Sequence, residues 1–313
     1  MAETSHLIKA IINRDSRAIA RAISLVEDGD RRADLILTGL DPVLLEKATV
    51  IGITGPPGAG KSTLTDKLIG QYREQDARIG VIAIDPSSPI SGGAILGDRV
   101  RMMEHALDHE VVMRSMASRG RLGGLCGAAG AATRIMAGSG CSIIIIETVG
   151  VGQSEMDIIR LADITALVVA PGLGDDIQAM KAGLLEVADL LVVNKADCPG
   201  AEALAMDMEA VAREKPPLAE NLSRVCLTTA IEGRGVQKLA ATLQRIDRLH
   251  RHSDEHTKRR QQARAMEVLD WSLEMLRPRL QDLINRYDVL KTGDPRLLAT
   301  RIIKELMDNR QES

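Results

Sequence analysis

The glycine-rich run Gly55–Ser62 is the feature that most constrains how this chain can fold. Its sequence, Gly-Pro-Pro-Gly-Ala-Gly-Lys-Ser, matches the phosphate-binding P-loop pattern G-x-x-x-x-G-K-[ST] in full. The apolar segment Thr49–Thr54 before it predicts a buried strand, and Thr63–Gln71 after it predicts a helix with one apolar face. Glycines in such a turn let successive backbone N–H groups point at phosphate oxygens, so the run predicts a nucleotide-phosphate site. A glycine-rich turn that binds nothing is the alternative, and it rarely matches the whole pattern in this context.

Two side chains of this run have predicted roles beyond that of the backbone. Lys61 is expected to reach the β- and γ-phosphates, and the Ser62 hydroxyl is expected to bind Mg²⁺. The nucleotide-binding residues predicted here are Gly55, Pro56, Pro57, Gly58, Ala59, Gly60, Lys61, Ser62 and Thr63.

Apolar runs alternate with helical stretches from residue 49 to about residue 245. They lie at 49–54, 79–84, 111–115, 142–146, 164–170, 190–193 and 224–229. The runs are continuous rather than alternating with polar residues, as in strands that are covered on both faces. The predicted fold is α/β, a doubly wound, mostly parallel sheet of the P-loop NTPase kind, with ligand at the carboxyl ends of the strands.

The flanks of this region read as purely helical. Residues 1–45 predict an N-terminal helical cap, residues 46–250 the P-loop domain, and residues 251–313 a C-terminal helical extension. Pro278 is expected to kink or break the first C-terminal helix, and a second one is predicted from Pro295 to about Asn309. Apolar residues of the extension follow steps of three and four, which predicts a seam of about three heptads. They are Met266, Leu269, Leu273, Leu276, Leu280, Leu283, Tyr287 and Leu290.

Composition and charge narrow the class of protein. The chain of 313 residues is 45% hydrophobic and has a formal net charge of −3, so nothing electrostatic favours binding to nucleic acid. The apolar run at 142–146 is far too short to span a bilayer, and the N-terminus has no signal-peptide pattern. The four cysteines form no C-x-x-C pair, which favours reduced thiols. We therefore expect a cytoplasmic protein that binds neither membrane nor nucleic acid.

The motif Asn194-Lys195-Ala196-Asp197 follows the apolar run at 190–193. N-K-x-D reads guanine, because a carboxylate can accept hydrogen bonds from both N1–H and the 2-amino group, whereas adenine offers neither donor in that arrangement. A surface loop with this sequence by chance is the alternative. The segment after the last predicted strand resembles a further guanine-contacting motif, and the contacts predicted in these two regions are Asn194, Lys195, Asp197, Thr229, Ala230 and Ile231.

Acidic residues end two of the predicted strands. Glu147 begins a Glu-Thr-Val-Gly run whose carboxylate is expected to orient Mg²⁺ and whose Gly150 N–H is expected to sense the γ-phosphate. Asp85 could hold Mg²⁺ or a metal-bound water, although either acid could instead face solvent. The predicted catalytic residues are Lys61, Asp85 and Glu147, and the predicted metal ligands are Ser62, Asp85, Asp98 and Glu147.

Glycine-rich stretches near residues 92–99 and 171–181 read as switch regions, with ordinary loops as the alternative. The predicted switch residues are Gly97, Asp98, Arg99, Gln153, Asp175, Asp176, Gln178 and Lys181. A basic stretch with His250, His252 and His256 reads as a solvated linker rather than as a metal or nucleic-acid site.

Taken together, these motifs resemble the MeaB/ArgK family over roughly residues 5 to 290. The residues that carry the resemblance are Gly55–Ser62, Asp85–Ser88, Leu96–Arg99, Arg121–Gly124, Glu147–Ser154, Pro171–Asp176 and Asn194–Asp197. The resemblance implies a SIMIBI-class GTPase that uses GTP/GDP and Mg²⁺ and forms a homodimer through its C-terminal helices. It also implies a partner, an adenosylcobalamin-dependent acyl-CoA mutase, whose cofactor loading the protein gates and which it protects or reactivates.

Two other functions remain open. A small-molecule kinase or transport ATPase would gain nothing from the guanine-reading carboxylate at Asp197. A metal-delivery GTPase would need exposed Cys and His residues near the nucleotide or a His-rich tract, and the sequence shows neither clearly.

Overall fold

A parallel β-sheet forms the centre of the chain in the computed structural model. The structure describes residues 2–85, 105, 107–117, 124–148, 154–174, 183–216, 218, 222–251, 253–287 and 294–308. Within them, seven strands pair in the order β3-β2-β4-β1-β5-β6-β7, each pair parallel. The strands are β1 (Thr49–Thr54), β2 (Ile79–Asp85), β3 (Val111–Ala117), β4 (Ile143–Thr148), β5 (Ile164–Val169), β6 (Leu190–Val193) and β7 (Val225–Leu227). The predicted doubly wound parallel sheet is confirmed.

Helices cover both faces of this sheet, which explains why its strands are apolar throughout. In β4, for example, all six residues are buried. The helices are α1 (Ala2–Ile12), α2 (Ser16–Glu27), α3 (Arg32–Thr38), α4 (Pro42–Lys47), α5 (Lys61–Arg73), α6 (Gly124–Gly138), α7 (Ser154–Leu161), α8 (Leu184–Val187), α9 (Ala201–Arg213), α10 (Val236–His250), α11 (Asp254–Ile284) and α12 (Pro295–Asp308).

The two faces of the sheet belong to separate apolar cores. Ile51 and Ile53 of β1 pack with α5 and α10, whereas Ile144 and Ile146 of β4 pack with the N-terminal helices and α6. The N-terminal helices predicted from the sequence therefore share a core with the sheet. The domain boundaries near residues 45 and 250 stay predictions.

The strand order places the predicted motifs at one edge of the sheet. Strand β1 lies between β4 and β5, and Ile53 is in register with Glu147. The P-loop after β1, Glu147 near the end of β4, Asp85 at the end of β2 and Asn194 after β6 therefore meet at the carboxyl edge. This is where α/β folds bind their ligands.

The stretch around His250–Arg260 is not the solvated linker that the sequence suggested. His256 is only 9% exposed, and its Nε2 lies 3.2 Å from Oδ1 of Asp163, which follows α7. Arg260 donates to both oxygens of Asp163, at 2.8 and 2.9 Å. The backbone N–H of Val50 also donates to Asp163, at 2.9 Å. This group of residues, the Asp163 cluster, fastens α11 to the amino edge of the sheet.

Helix α11 runs without interruption through Pro278, so the expected break does not occur. Leu280 and Leu283 near the end of the helix, and Tyr287 just beyond it, pack against α12 of the same chain. Leu269 and Leu273 are about half exposed, at 51% and 49%. The predicted heptad seam is thus partly used within the chain. Among the described residues, no helix combines the length and apolarity needed to cross a membrane.

Candidate nucleotide site

The P-loop backbone has a shape that only glycine tolerates at its start. Gly55 has φ +143°, and a Cβ built there would lie 2.0 Å from the carbonyl oxygen of Val168 on β5. Gly60 has φ +88° and directly precedes α5, which begins at Lys61. The loop therefore ends on a helix N-terminus, whose free N–H groups attract phosphate oxygens. This arrangement agrees with the phosphate site that the sequence predicted.

The side chain of Lys61, which is predicted to bind phosphate, lies against the backbone of the P-loop. Its side chain is only 6% exposed, and Nζ donates to the carbonyl oxygens of Gly55 at 2.8 Å and Pro56 at 3.0 Å. An ammonium group held there is close to any phosphate that the loop binds. Thr63, two residues further along α5, is exposed at the same helix N-terminus.

Two of the predicted metal ligands are brought into direct contact. The Ser62 hydroxyl donates a 2.5 Å hydrogen bond to Oε1 of Glu147, which is only 4% exposed. Glu147 lies on β4, and Ser62 lies in the first turn of α5. The two residues are far apart in sequence and come into contact because β4 lies beside β1 in the sheet. Asp85 ends the neighbouring strand β2 at the same edge, and its side chain lies outside the described part of the structure.

Asn194 joins the two halves of the site. Its amide Nδ2 donates to the carbonyl oxygen of Ala59 in the P-loop at 2.9 Å. Its Oδ1 accepts from the backbone N–H of Ala230 at 3.1 Å and from the Thr228 hydroxyl at 3.0 Å. The side chain is 2% exposed, so all three bonds are buried. The sequence identified this residue through its motif, but the link to Ala59 becomes visible only in the fold.

The remaining motif residues surround Asn194 with different exposures. Lys195 has φ +56° and, like Asp197, is exposed, so both side chains are accessible to a base. Thr229 and Ala230 are buried, at 4% and 3%, whereas Ile231 is 79% exposed.

Several predicted residues lie outside the described part of the structure. They are Gly97, Asp98, Arg99, Gly150, Gln153, Asp175, Asp176, Gln178 and Lys181. Their roles as sensor, metal ligand or switch stay predictions.

Two buried threonines received no predicted role from the sequence: Thr54, just before the P-loop, and Thr148, inside the Glu147–Ser154 run. Thr148 follows Glu147 and donates a 3.2 Å hydrogen bond to the hydroxyl of Thr54, which precedes Gly55. Both residues have no exposed surface. A polar residue at the end of an otherwise apolar strand is the signal that could have pointed to them.

Comparison with known proteins identifies the family. The family model described as methylmalonyl-CoA mutase-associated GTPase MeaB matches residues 19–284. The chain belongs to the MeaB family of P-loop GTPases. The chain is therefore a GTPase that binds guanine nucleotide, which confirms the GTPase that the resemblance implied.

Relatives of this MeaB-family chain occur in archaea, bacteria and animals. A provisionally named GTPase of Pyrococcus horikoshii is 48% identical over 249 residues, 76% of each chain. The GTPase ArgK of Escherichia coli is 35% identical over 239 residues, 74% of this chain and 72% of its own length. The mitochondrial methylmalonic aciduria type A homolog of Mus musculus is 38% identical over 204 residues, 61% of this chain and 49% of its own length.

A solved structure supports the fold of the MeaB-family chain. The crystal structure of an LAO/AO transport system kinase superposes with a TM-score of 0.70 and 24% identity, covering 98% of both chains. At this identity the likeness concerns the P-loop NTPase fold alone.

Proposed function

We propose that the chain is a GTP-dependent chaperone of an adenosylcobalamin-dependent acyl-CoA mutase of the methylmalonyl-CoA mutase type. In this role it gates cofactor loading and protects or reactivates the mutase. The name of the matching family model associates it with methylmalonyl-CoA mutase, and the mouse relative is named for methylmalonic aciduria.

The observation that carries the nucleotide part of the proposal is the position of Asn194. Because it joins Ala59 to Ala230, the phosphate-binding loop and the base-reading segment form one rigid unit. Asp197 lies exposed in the same loop, where its carboxylate can accept the two guanine donors. We assign guanine recognition to Asp197 and the spacing between base and phosphates to Asn194.

The residues present also fit Mg²⁺. Ser62 and Glu147 place a hydroxyl and a carboxylate in contact at the end of the P-loop, and Mg²⁺ prefers such oxygen ligands. Asp85 and Asp98 are the further proposed ligands. When bound, the ion neutralises charge on the β- and γ-phosphates.

The chain's own residues supply the rest of the chemistry. Lys61 holds its ammonium against the Gly55 and Pro56 carbonyls, from where a short movement brings it to phosphate oxygens. Glu147 accepts a hydrogen bond from the Ser62 hydroxyl. This bond keeps the Ser62 oxygen in one orientation in the first turn of α5. The ammonium of Lys61 would stabilise the negative charge of the phosphates, and the oriented Ser62 oxygen would be ready for the metal ion.

We further propose a cytoplasmic homodimer that uses the exposed apolar face of α11. Val268, Leu269 and Leu273 are 66%, 51% and 49% exposed on this helix. Exposed apolar side chains grouped on one helix are unusual unless a partner covers them. The end of α11 that packs against α12 is excluded from this contact.

A cofactor-loading assay tests the chaperone function. Transfer of adenosylcobalamin to an apo-mutase from the same cell is followed by cobalamin absorbance, with the chain and GTP, GDP or no nucleotide. Nucleotide-dependent transfer that disappears in the Lys61→Ala variant is expected. Transfer that ignores both chain and nucleotide would overturn the proposal.

A further inference from the structure

We infer that the buried hydroxyl pair Thr54–Thr148 positions Glu147 for GTP hydrolysis from the face of the sheet opposite the nucleotide. Thr54 and Thr148 are then positioning residues, which act through Glu147 and do not touch the nucleotide. The inference rests on the proposed role of Glu147 and Ser62 as metal-binding residues.

The pair lies where β1 and β4 end. Ile53 is in register with Glu147, so the next residues along the two parallel strands, Thr54 and Thr148, lie side by side. Each is the last residue of its strand. Thr54 leads directly into Gly55 and the P-loop, and Thr148 follows the proposed metal-binding carboxylate. One hydrogen bond thus connects the points from which both functional segments leave the sheet.

The two threonine side chains point to the face of the sheet opposite α5. Successive side chains of a strand face opposite sides of the sheet. Glu147 shares its face with Ile145, in the core formed with α5, and reaches Ser62 on that helix. Thr148 shares its face with Ile146, in the other core, and Thr54 shares its face with Gly52, which packs against Ile158 of α7. The hydroxyl pair therefore lies beneath α7, away from the nucleotide.

The hydrogen bond between the two hydroxyls can hold the ends of β1 and β4 in one alignment. Valine has nearly the same shape as threonine and would fill the same space, so packing alone does not require hydroxyls at two fully buried neighbouring positions. A buried hydroxyl without a hydrogen-bond partner costs free energy. Thr54 and Thr148 therefore both favour the alignment of β1 and β4 in which their hydroxyls are hydrogen-bonded to each other. That alignment sets how far along the strand direction Glu147 lies relative to Ser62. The Ser62 hydroxyl donates a 2.5 Å hydrogen bond to Glu147. By fixing the ends of the two strands, the pair holds Glu147 in position before nucleotide binds.

The test uses shape-conserving variants and two readouts. Thr148→Val and Thr54→Val remove one hydroxyl each, and Thr148→Ser keeps it. The readouts are the single-turnover rate of GTP hydrolysis and the Mg²⁺ concentration that half-maximally slows release of fluorescently labelled GDP. Thr242→Val is the matched control, because Thr242 is a buried threonine on α10 whose hydroxyl donates to the carbonyl oxygen of Lys238.

Each valine variant should lower the hydrolysis rate and raise the Mg²⁺ midpoint by about tenfold, since misplacing a catalytic group by a fraction of an ångström is costly. GDP affinity in excess Mg²⁺ should stay within about twofold of wild type, and Thr148→Ser should restore both readouts. Because the two hydroxyls share one bond, the double variant Thr54→Val/Thr148→Val should be no worse than either single variant.

Other results would overturn the inference. If both valine variants lose thermal stability as Thr242→Val does but keep wild-type hydrolysis and Mg²⁺ dependence, the pair is merely structural. Effects that add in the double variant would mean that no shared bond is involved. If Thr148→Val does not fold, Thr54→Val compared with Thr54→Ser decides by the same criteria.

Failure of the proposed function is distinguishable from failure of this inference. Wild-type Mg²⁺ dependence in Ser62→Ala and Glu147→Gln would overturn the metal assignment itself. If those two variants are impaired while Thr54→Val and Thr148→Val behave as wild type, only the present inference fails.

Discussion

The side-chain amide of Asn194 donates a 2.9 Å hydrogen bond to the carbonyl oxygen of Ala59, and this bond joins the base-reading loop to the P-loop. The two residues belong to motifs far apart in sequence, at the ends of β6 and β1. Gly60 permits the contact, because a Cβ there would lie 2.4 Å from the Asn194 nitrogen. The proposed base-reading loop and the P-loop are thereby connected directly.

Replacing Asn194 should therefore weaken stability and nucleotide binding together. Asn194→Ala leaves the Ala59 carbonyl, the Ala230 N–H and the Thr228 hydroxyl without this partner in a buried place. We expect a loss of about 1–3 kcal/mol in the free energy of unfolding and at least about a tenfold loss of GDP affinity. Urea denaturation and fluorescent-GDP titration measure the two effects. Lys195→Ala, at an exposed neighbouring position, is the control that should keep wild-type stability.

Guanine specificity should depend on Asp197. Asp197→Asn is expected to weaken GTP binding by about 2–4 kcal/mol, because the charge-assisted bonds to the guanine donors are lost. The same variant should bind XTP better than the wild type does, since xanthine has a carbonyl where guanine has its amino group. Competition titration with GTP, XTP and ATP measures the change. Unaltered GTP affinity in the variant contradicts the assignment.

The sequence predicted the fold, and it located the motifs that meet at the carboxyl edge of the sheet, because both depend on local patterns. Continuous apolar runs such as Ile143–Ile146 indicate buried strands, and a P-loop is recognisable without its neighbours. The contacts between motifs could not be predicted in the same way. Asn194 with Ala59, and Thr148 with Thr54, meet only because β1 lies between β4 and β5.

The stretch near His256 shows why charge patterns mislead. Histidine and arginine side chains usually face water, so the sequence indicated a solvated linker. The fold instead buries Asp163 at the start of β5 and surrounds it with Arg260, His256 and the Val50 N–H. The carboxylate of Asp163, nearly a hundred residues away in the sequence, gives these basic residues a structural role. A local sequence pattern does not predict a partner that is so distant in the sequence.

The Asp163 cluster should make the stability of the chain sensitive to acid. Burial alone would raise the pKa of Asp163, but hydrogen bonds from His256 and Arg260 outweigh it and lower the pKa to about 2. A carboxylate with a depressed pKa stabilises the fold above its unfolded-state pKa, near 4, and loses this contribution as the pH falls through about 2. Wild type should lose about 2 kcal/mol of stability from this group between pH 4 and pH 2.

Asp163→Asn isolates that contribution. The variant should be about 2 kcal/mol less stable than wild type at pH 7, because it leaves the partly buried Arg260 without its carboxylate. The difference should shrink as the pH falls from 4 to 2 in urea titrations. GDP affinity should be unchanged, since the cluster lies at the amino edge of the sheet and the P-loop at the carboxyl edge. A difference in stability independent of pH over this range would contradict the role assigned to Asp163.

The proposed dimer contact predicts that charge on the exposed face of α11 produces monomers. Leu269→Lys places an ammonium where an apolar side chain is 51% exposed, and burying it in an interface would be unfavourable. Light scattering should show a monomer that still binds GDP. Gln281→Lys, at an exposed position of the same helix, is the matched control and should stay dimeric. A dimeric Leu269→Lys variant would place the contact elsewhere.

If this GTPase acts on a cobalamin-dependent mutase, the rate of GTP hydrolysis should differ with and without that partner. Ras-like GTPases orient the attacking water with a Gln directly after D-x-x-G, whereas Val151 occupies that place here and Gln153 follows two residues later. An apolar side chain cannot orient water, so intrinsic hydrolysis should be slow and a docked partner should supply the missing positioning. We expect an acceleration of about 10–100-fold, below the ~10³–10⁵ that an inserted arginine can give.

Single-turnover hydrolysis of GTP should therefore be measured for the free chain and with an adenosylcobalamin-dependent acyl-CoA mutase from the same cell, with Lys61→Ala as the blank. We expect a slow rate of hydrolysis for the free chain, and a rate that rises with mutase concentration until it saturates. A fast rate for the free chain that no such mutase changes would contradict it.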